Sequence, residues 1–287
     1  MRYRERRYQS EDGLRLFYRD YAGPDASART VLCLPGLTRN SRDFEELAEH
    51  LQARFRVLCA DLRGRGKSDY ARDPYSYNLG MYVGDVARLL DSAGLTEAVF
   101  VGTSLGGLIT TMMLATHQSL VGAAIINDVG PVIEASGLER IANYVDSVEG
   151  FASWQDAADV MRENNASVFP SFDHADWRRM ARRLCVEQPD GSVRPDFDTN
   201  IAVPMREAGP ASTFDLWPLF EAYAGIPALC IRGELSDILS AQTFDEMKAR
   251  IAGLQQAIVP GVGHAPLLTE PEALEAIDRF LAASSGE

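Results

Sequence analysis

Gly102-Thr103-Ser104-Leu105-Gly106 is the stretch on which the reading of this chain turns. It follows a short apolar run, Ala98-Val99-Phe100-Val101. It opens a small-residue stretch with helical character, Leu108-Ile109-Thr110-Thr111-Met112-Met113-Leu114. A strand, a Gly-x-Ser-x-Gly turn and a helix, in that order, describe a nucleophile elbow. So sharp a turn strains its central residue, and a side chain beside it can block the close crossing of helix and strand. Gly102 and Gly106 leave room for that crossing, and Ser104 keeps its hydroxyl above the sheet edge. The bare pattern is common by chance, so the strand before it and the helix after it carry the weight. The competing reading, an ordinary glycine-rich turn with a capping serine, is decided by the rest of the chain.

Working outward, continuous apolar strands are predicted at 30–34, 56–60, 98–101, 123–127, 228–231 and 256–259. Helical periodicity fills 41–53, 78–93, 104–117, 240–252 and 271–283. Such alternation implies an α/β fold, a parallel sheet covered on both faces. An antiparallel pair, 2–8 and 14–19, precedes it, joined through Ser10-Glu11-Asp12-Gly13. The alternation breaks once. Between Asp128 and about Ala211 only helical patches are found, at 138–148, 153–165 and 173–187. A run of about 80 residues is too long for an ordinary loop. It reads as a helical cap, residues 129–211, inserted after the sixth strand of a core made of 1–128 and 212–287, with 213–219 leading back into that core.

Composition narrows the partners. The chain has 28 basic and 41 acidic side chains, a formal net charge of −13. Such a field repels nucleic acid, anionic membranes and highly anionic ligands. The start, Met1-Arg2-Tyr3-Arg4-Glu5-Arg6-Arg7, is charged and lacks the apolar core of a signal peptide. No apolar run is long enough to span a bilayer. Cys33, Cys59 and Cys230 lie in strand-like runs, Cys185 lies elsewhere, and no Cys/His spacing suits a metal. The expectation is a reduced, cytoplasmic protein acting on a small molecule, with a homodimer allowed.

A serine hydroxyl needs a base, and the base needs an orienting acid. His264, in Gly261-Val262-Gly263-His264-Ala265-Pro266 after the last strand, is the predicted base. His50 and His117 lie late in helices and His174 lies in the cap, so these read as surface or packing residues. The acid should follow an earlier strand, and Arg232-Gly233-Glu234-Leu235-Ser236-Asp237 offers two carboxylates. Asp237 is the first choice because it lies deeper in the loop. Glu234 is assigned to backbone or polar neighbours, and Asp128, after the strand 123–127, is a third candidate. The chain order Ser104, Asp237, His264 is that of the Ser…Asp…His hydrolases. The amides of Leu105, at a helix N-terminus, and of Leu37, in Leu34-Pro35-Gly36-Leu37-Thr38, are the expected oxyanion donors.

Taken together, these motifs resemble the α/β-hydrolase superfamily. The matching residues are the elbow, Leu34-Pro35-Gly36-Leu37, Asp61-Leu62-Arg63-Gly64-Arg65-Gly66-Lys67-Ser68, Gly233-Glu234-Leu235-Ser236-Asp237 and Gly261-Val262-Gly263-His264. The resemblance implies an eight-stranded sheet with a helical lid, a serine nucleophile and no cofactor. Many relatives carry His-Gly where this chain has Pro35-Gly36, which removes a side-chain contact from the oxyanion turn. Branches of the fold that attack with aspartate, the haloalkane dehalogenases and epoxide hydrolases, are demoted by serine at 104. The Asp61–Ser68 motif, shared with epoxide hydrolases, reads as structural.

On this reading Ser104 attacks a carbonyl, His264 moves the proton and Asp237 stabilises the imidazolium, through an acyl-enzyme that water hydrolyses. The chemistry serves esters and lactones, with C–C bonds of diketones, peracid formation and a weakly catalytic receptor as alternatives. The cap should decide among them. Its Phe151, Trp154, Met161, Phe169, Phe172, Trp177 and Met180 can wall a pocket or pack a core of their own. Arg178, Arg179, Arg182 and Arg183, opposite an apolar helical stripe, read as a solvated face rather than a carboxylate clamp.

Overall fold

The computed structural model describes residues 3–147, 150–207 and 215–284. Residue 148 of the helix predicted at 138–148 and the cap boundary at 211/212 lie outside the described residues. An antiparallel hairpin, β1 (Arg4–Gln9) and β2 (Arg15–Tyr21), comes first. The chain then alternates β3 (Thr30–Leu34), α1 (Glu45–Leu51), β4 (Arg56–Asp61), α2 (Leu79–Ser92), β5 (Ala98–Thr103), α3 (Leu105–Thr116) and β6 (Val121–Asn127).

The insert follows. It holds α4 (Ala135–Ser147), α5 (Trp154–Asn165), α6 (His174–Leu184), β7 (Cys185–Glu187), β8 (Val193–Pro195) and α7 (Val203–Glu207). Then come α8 (Trp217–Glu221), β9 (Ala228–Gly233), α9 (Ala241–Arg250), β10 (Gln255–Val259) and α10 (Pro271–Ser284).

The sheet has eight strands in the order β1-β2-β4-β3-β5-β6-β9-β10, and every pairing from β4 to β10 is parallel. Strand residues alternate between two apolar layers, as the period of two requires. Leu32, Leu34 and Phe100 join one layer with α2, α3 and α9. Val31, Cys33, Val99 and Val101 join the other with α1 and α10. All four cysteines are buried and unpaired. No helix among the described residues is long and apolar enough to cross a membrane.

The insert differs from the expected run of helices in one place. The stretch 173–187 stops being helical at Leu184, and Cys185–Glu187 pairs antiparallel with Val193–Pro195. The intervening Gln188-Pro189-Asp190-Gly191 explains it. Gly191 takes φ +86°, and Asp190 Oδ1 accepts from the Ser192 amide at 3.0 Å, a turn that a helix cannot continue through. Three of the four arginines do as expected on α6. Arg178, Arg179 and Arg182 are exposed, and Trp177, Met180, Ala181 and Leu184 are buried. Arg183 departs from the expectation: its side chain is only 15% exposed and pairs with Glu46 of α1.

The Asp61–Ser68 motif is structural, as read. Asp61 accepts from the amides of Ser41 (2.7 Å) and Lys67 (2.8 Å), and fully buried Arg63 is forked by Asp85 and also held by Asp12.

The elbow depends on missing side chains. A Cβ on Gly102 would fall 2.4 Å from the carbonyl oxygen of Gly106, and one on Gly106 would fall 2.0 Å from that of Leu34. Both neighbours are backbone, so nothing can swing aside. Gly106→Ala should therefore force α3 off β3 and cost about 3 kcal/mol or more; urea unfolding beside the parent protein measures the loss.

Candidate active site

Three elements bring the chemistry to the carboxyl edge of the sheet. Ser104 stands between β5 and α3 with φ +52° and ψ −113°, a conformation a non-glycine residue adopts only under constraint. Its amide donates to the carbonyl of Asn127 at 2.9 Å, and its own carbonyl accepts from Gly107 at 2.8 Å. The strained turn is thus held from both sides. His264 follows β10, and its Nε2 lies 2.9 Å from Ser104 Oγ.

The carboxylate at the far side of the imidazole is Asp128. His264 Nδ1 and Asp128 Oδ2 are 2.8 Å apart, with 6% of the histidine side chain and none of the aspartate side chain exposed. A carboxylate only accepts, so Nδ1 carries the hydrogen, and Nε2 is left to accept from the serine hydroxyl. Asp128 accepts two further hydrogen bonds, from the Gly233 amide at 2.8 Å and the Ser236 hydroxyl at 2.7 Å. Its φ of +60° is itself strained.

This placement corrects the expectation for Asp237. That residue is turned to α4, where Arg140 Nε and Nη2 donate to its two oxygens at 2.6 and 2.8 Å. Burial alone would raise its pKa. The hydrogen bond and charge of Arg140 hold it below the usual carboxylate value. The reason for the exchange is topological. β6 lies between β5 and β9, so the residue after its last position faces Ser104 and the His264 loop together. The signal was present in the sequence, an aspartate directly after an apolar strand, but strand order was not.

The other predictions sort cleanly. Glu234 is exposed, and its Oε2 accepts from the Gly261 amide at 2.7 Å, bracing the histidine loop. His50, His117 and His174 are exposed. The Leu105 amide sits at the first position of α3, where no preceding turn offers it a carbonyl. Gly36 brings the Leu37 turn against Ser104, since a Cβ there would lie 3.7 Å from Ser104 Cβ. Buried Arg65 fixes that turn by donating from Nε to the Leu37 carbonyl at 2.8 Å. Among the described residues no group of His, Cys, Asp and Glu could hold a metal.

Two positioning features had no sequence signal. Buried Asn127 donates from Nδ2 to the Pro266 carbonyl at 2.8 Å and to Thr103 Oγ1 at 3.1 Å, tying the strand before Ser104 to the loop of His264. From the insert, the Val168 carbonyl accepts from the Gly263 amide at 2.7 Å, next to His264.

Above Ser104 opens a cavity of about 570 Å³, walled by the 36–44 segment, α4, the end of α5 and the 264–267 loop. Of the insert's large apolar residues named above, Phe169 lines it. Phe172 and Trp177 instead pack together, ring centroids 5.0 Å apart, and Met161 and Met180 are buried in the same core layer.

Comparison with known proteins agrees with this architecture. The Alpha/beta hydrolase family pattern matches residues 31–277, and the chain belongs to that family. It is 33% identical to the 3-hydroxybutyrate-oligomer hydrolase of Cupriavidus necator, over 93% of this chain and 92% of that one. It is 30% identical to the 2-(acetamidomethylene)succinate hydrolase of Mesorhizobium japonicum, over 89% and 88%. Among crystal structures, an α/β hydrolase from Novosphingobium aromaticivorans superposes with a TM-score of 0.92 at 46% identity, covering 98% of each chain.

Asn127→Ala should slow acylation of Ser104 by a fluorophosphonate about 100-fold, the usual penalty for a misplacement of about 1 Å. Timed labelling of protein checked for its fold by circular dichroism measures it.

Proposed function

We propose that this α/β hydrolase is a serine hydrolase that cleaves small to medium carboxylic esters through an acyl-enzyme. The observation that carries the reading is the unbroken hydrogen-bonded line from Asp128 through His264 to Ser104, ending in the floor of the cavity. Ser104 attacks the carbonyl as His264 Nε2 takes its proton. The imidazolium so formed is stabilised by buried Asp128. The tetrahedral oxyanion is received by the amides of Leu105 and Leu37. The imidazolium then protonates the leaving alcohol, and the same imidazole activates water to release the acid.

Residues 129–211 act as a lid whose α4 and α5 shape the substrate end of the cavity. The likeness to the Cupriavidus hydrolase supports an ester of a short hydroxy acid, since that protein's name places a 3-hydroxybutyrate oligomer in a site on the same chain plan. A cavity of about 570 Å³ suits a ligand of that size.

Two outcomes test the reading. A fluorophosphonate should label Ser104, and Ser104→Ala should abolish the labelling; a folded protein left unlabelled would end it. Asp128→Asn should lower kcat on p-nitrophenyl butyrate about 10⁴-fold, the scale seen when a triad histidine loses its tautomer. Asp237→Asn should cost far less, and the opposite ranking would return the acid's role to Asp237.

A further inference from the structure

Two arginines line the cavity, and both are pinned. Arg39, after β3, donates from Nε and Nη2 to Asp43, and Arg140, on α4, does the same to Asp237. In each, Nη1 has no hydrogen-bond partner among the described residues. A guanidinium held along one edge has already lost its rotamer freedom, and its remaining N–H groups point in fixed directions. A donor so fixed would bind an acceptor without further loss of rotamer freedom. The stem of Arg39 runs beside the nucleophile. A Cβ on Gly36 would lie 3.4 Å from Arg39 Cγ and 3.7 Å from Ser104 Cβ. Arg140 reaches the same cavity from the insert.

Building on the serine-hydrolase reading, we propose that the cavity selects acyl chains ending in a single carboxylate, which Arg140 receives through Nη1 while Arg39 supplies a second positive charge near the nucleophile. A carboxylate oxygen on a guanidinium makes a charge-assisted hydrogen bond, roughly twice as strong as a neutral one. A second carboxylate is opposed locally by Asp43 and Glu139, which also line the cavity, and at long range by the net charge of −13. The substrate class is therefore an ester whose acyl half ends in one free carboxylate, such as a monoester of a short dicarboxylic acid. If the Arg140–Asp237 pair were only a latch between α4 and the loop after β9, its loss would lower stability and leave substrate preference unmoved.

The test compares two p-nitrophenyl esters of glutaric acid, one with its second carboxyl free and one with it methylated. At low salt the free acid should be preferred about tenfold in kcat/KM. In Arg140→Gln/Asp237→Asn, which exchanges the ion pair for a neutral hydrogen-bonded one, the ratio should fall towards one through a raised KM. A second measurement needs no variant. Monomethyl glutarate should slow fluorophosphonate labelling of Ser104 more than dimethyl glutarate does. Equal preference, or equal protection, in a protein labelled at Ser104 overturns the carboxylate seat and leaves the hydrolase reading standing. Loss of labelling altogether overturns the hydrolase reading instead.

Discussion

Everything at this site rests on how closely α3 crosses the sheet. The helix can start at Leu105 only because positions 102 and 106 carry no side chain, each pressed against main-chain atoms of its neighbours. That contact holds Ser104 in its strained conformation, with its amide bound to β6 and its hydroxyl above the sheet edge. A relaxed turn would place the hydroxyl elsewhere and leave the Leu105 amide inside an ordinary helix start. The strain, of the order of 1–3 kcal/mol for such a backbone, is sustained by the packing around it.

From that fixed point the remaining groups converge by strand order. β5, β6 and β9 are neighbours, and the residues just after each of them meet at one edge. Ser104 follows β5, Asp128 follows β6, and Ser236 and Gly233 from the β9 end donate to the Asp128 carboxylate. The histidine loop is gripped on three sides, by Asn127 and Glu234 from the core and by Val168 from the insert. Such bracing fixes the imidazole in one place relative to Ser104 and Asp128. The insert thus contributes to the placement of His264 as well as to the walls of the cavity.

Asp237 shows how a well-placed residue is diverted. It occupies the loop that the chain order favours, yet the bidentate fork from Arg140 takes both of its oxygens. A guanidinium satisfies two carboxylate oxygens at once, which a single imidazole N–H cannot match. With Asp128 already filling the place beside His264, Asp237 is free to anchor α4 and hold an arginine at the cavity wall.

The sequence alone determined the fold class and the eight strands of the main sheet, and it singled out Ser104 and His264 as candidates. Those depend on local facts: apolar runs of strand length, glycines at fixed offsets from a serine, and a histidine in a glycine-rich loop after the last strand. Helical period set Arg178, Arg179 and Arg182 opposite a buried stripe, facing solvent as read, but it could not show that Arg183 would be drawn in against Glu46 of α1. The short strands at 185–187 and 193–195 were less legible, since a three-residue strand carries almost no periodic signal. Only the tertiary structure set Asp128 rather than Asp237 beside His264. Chain order runs one way and spatial order another, and a hydrogen bond 136 residues long in sequence is set by which strands lie side by side. The roles of Asn127 and Arg140 likewise belong to the packing, because the carbonyl and the carboxylate they bind come from distant turns of the chain.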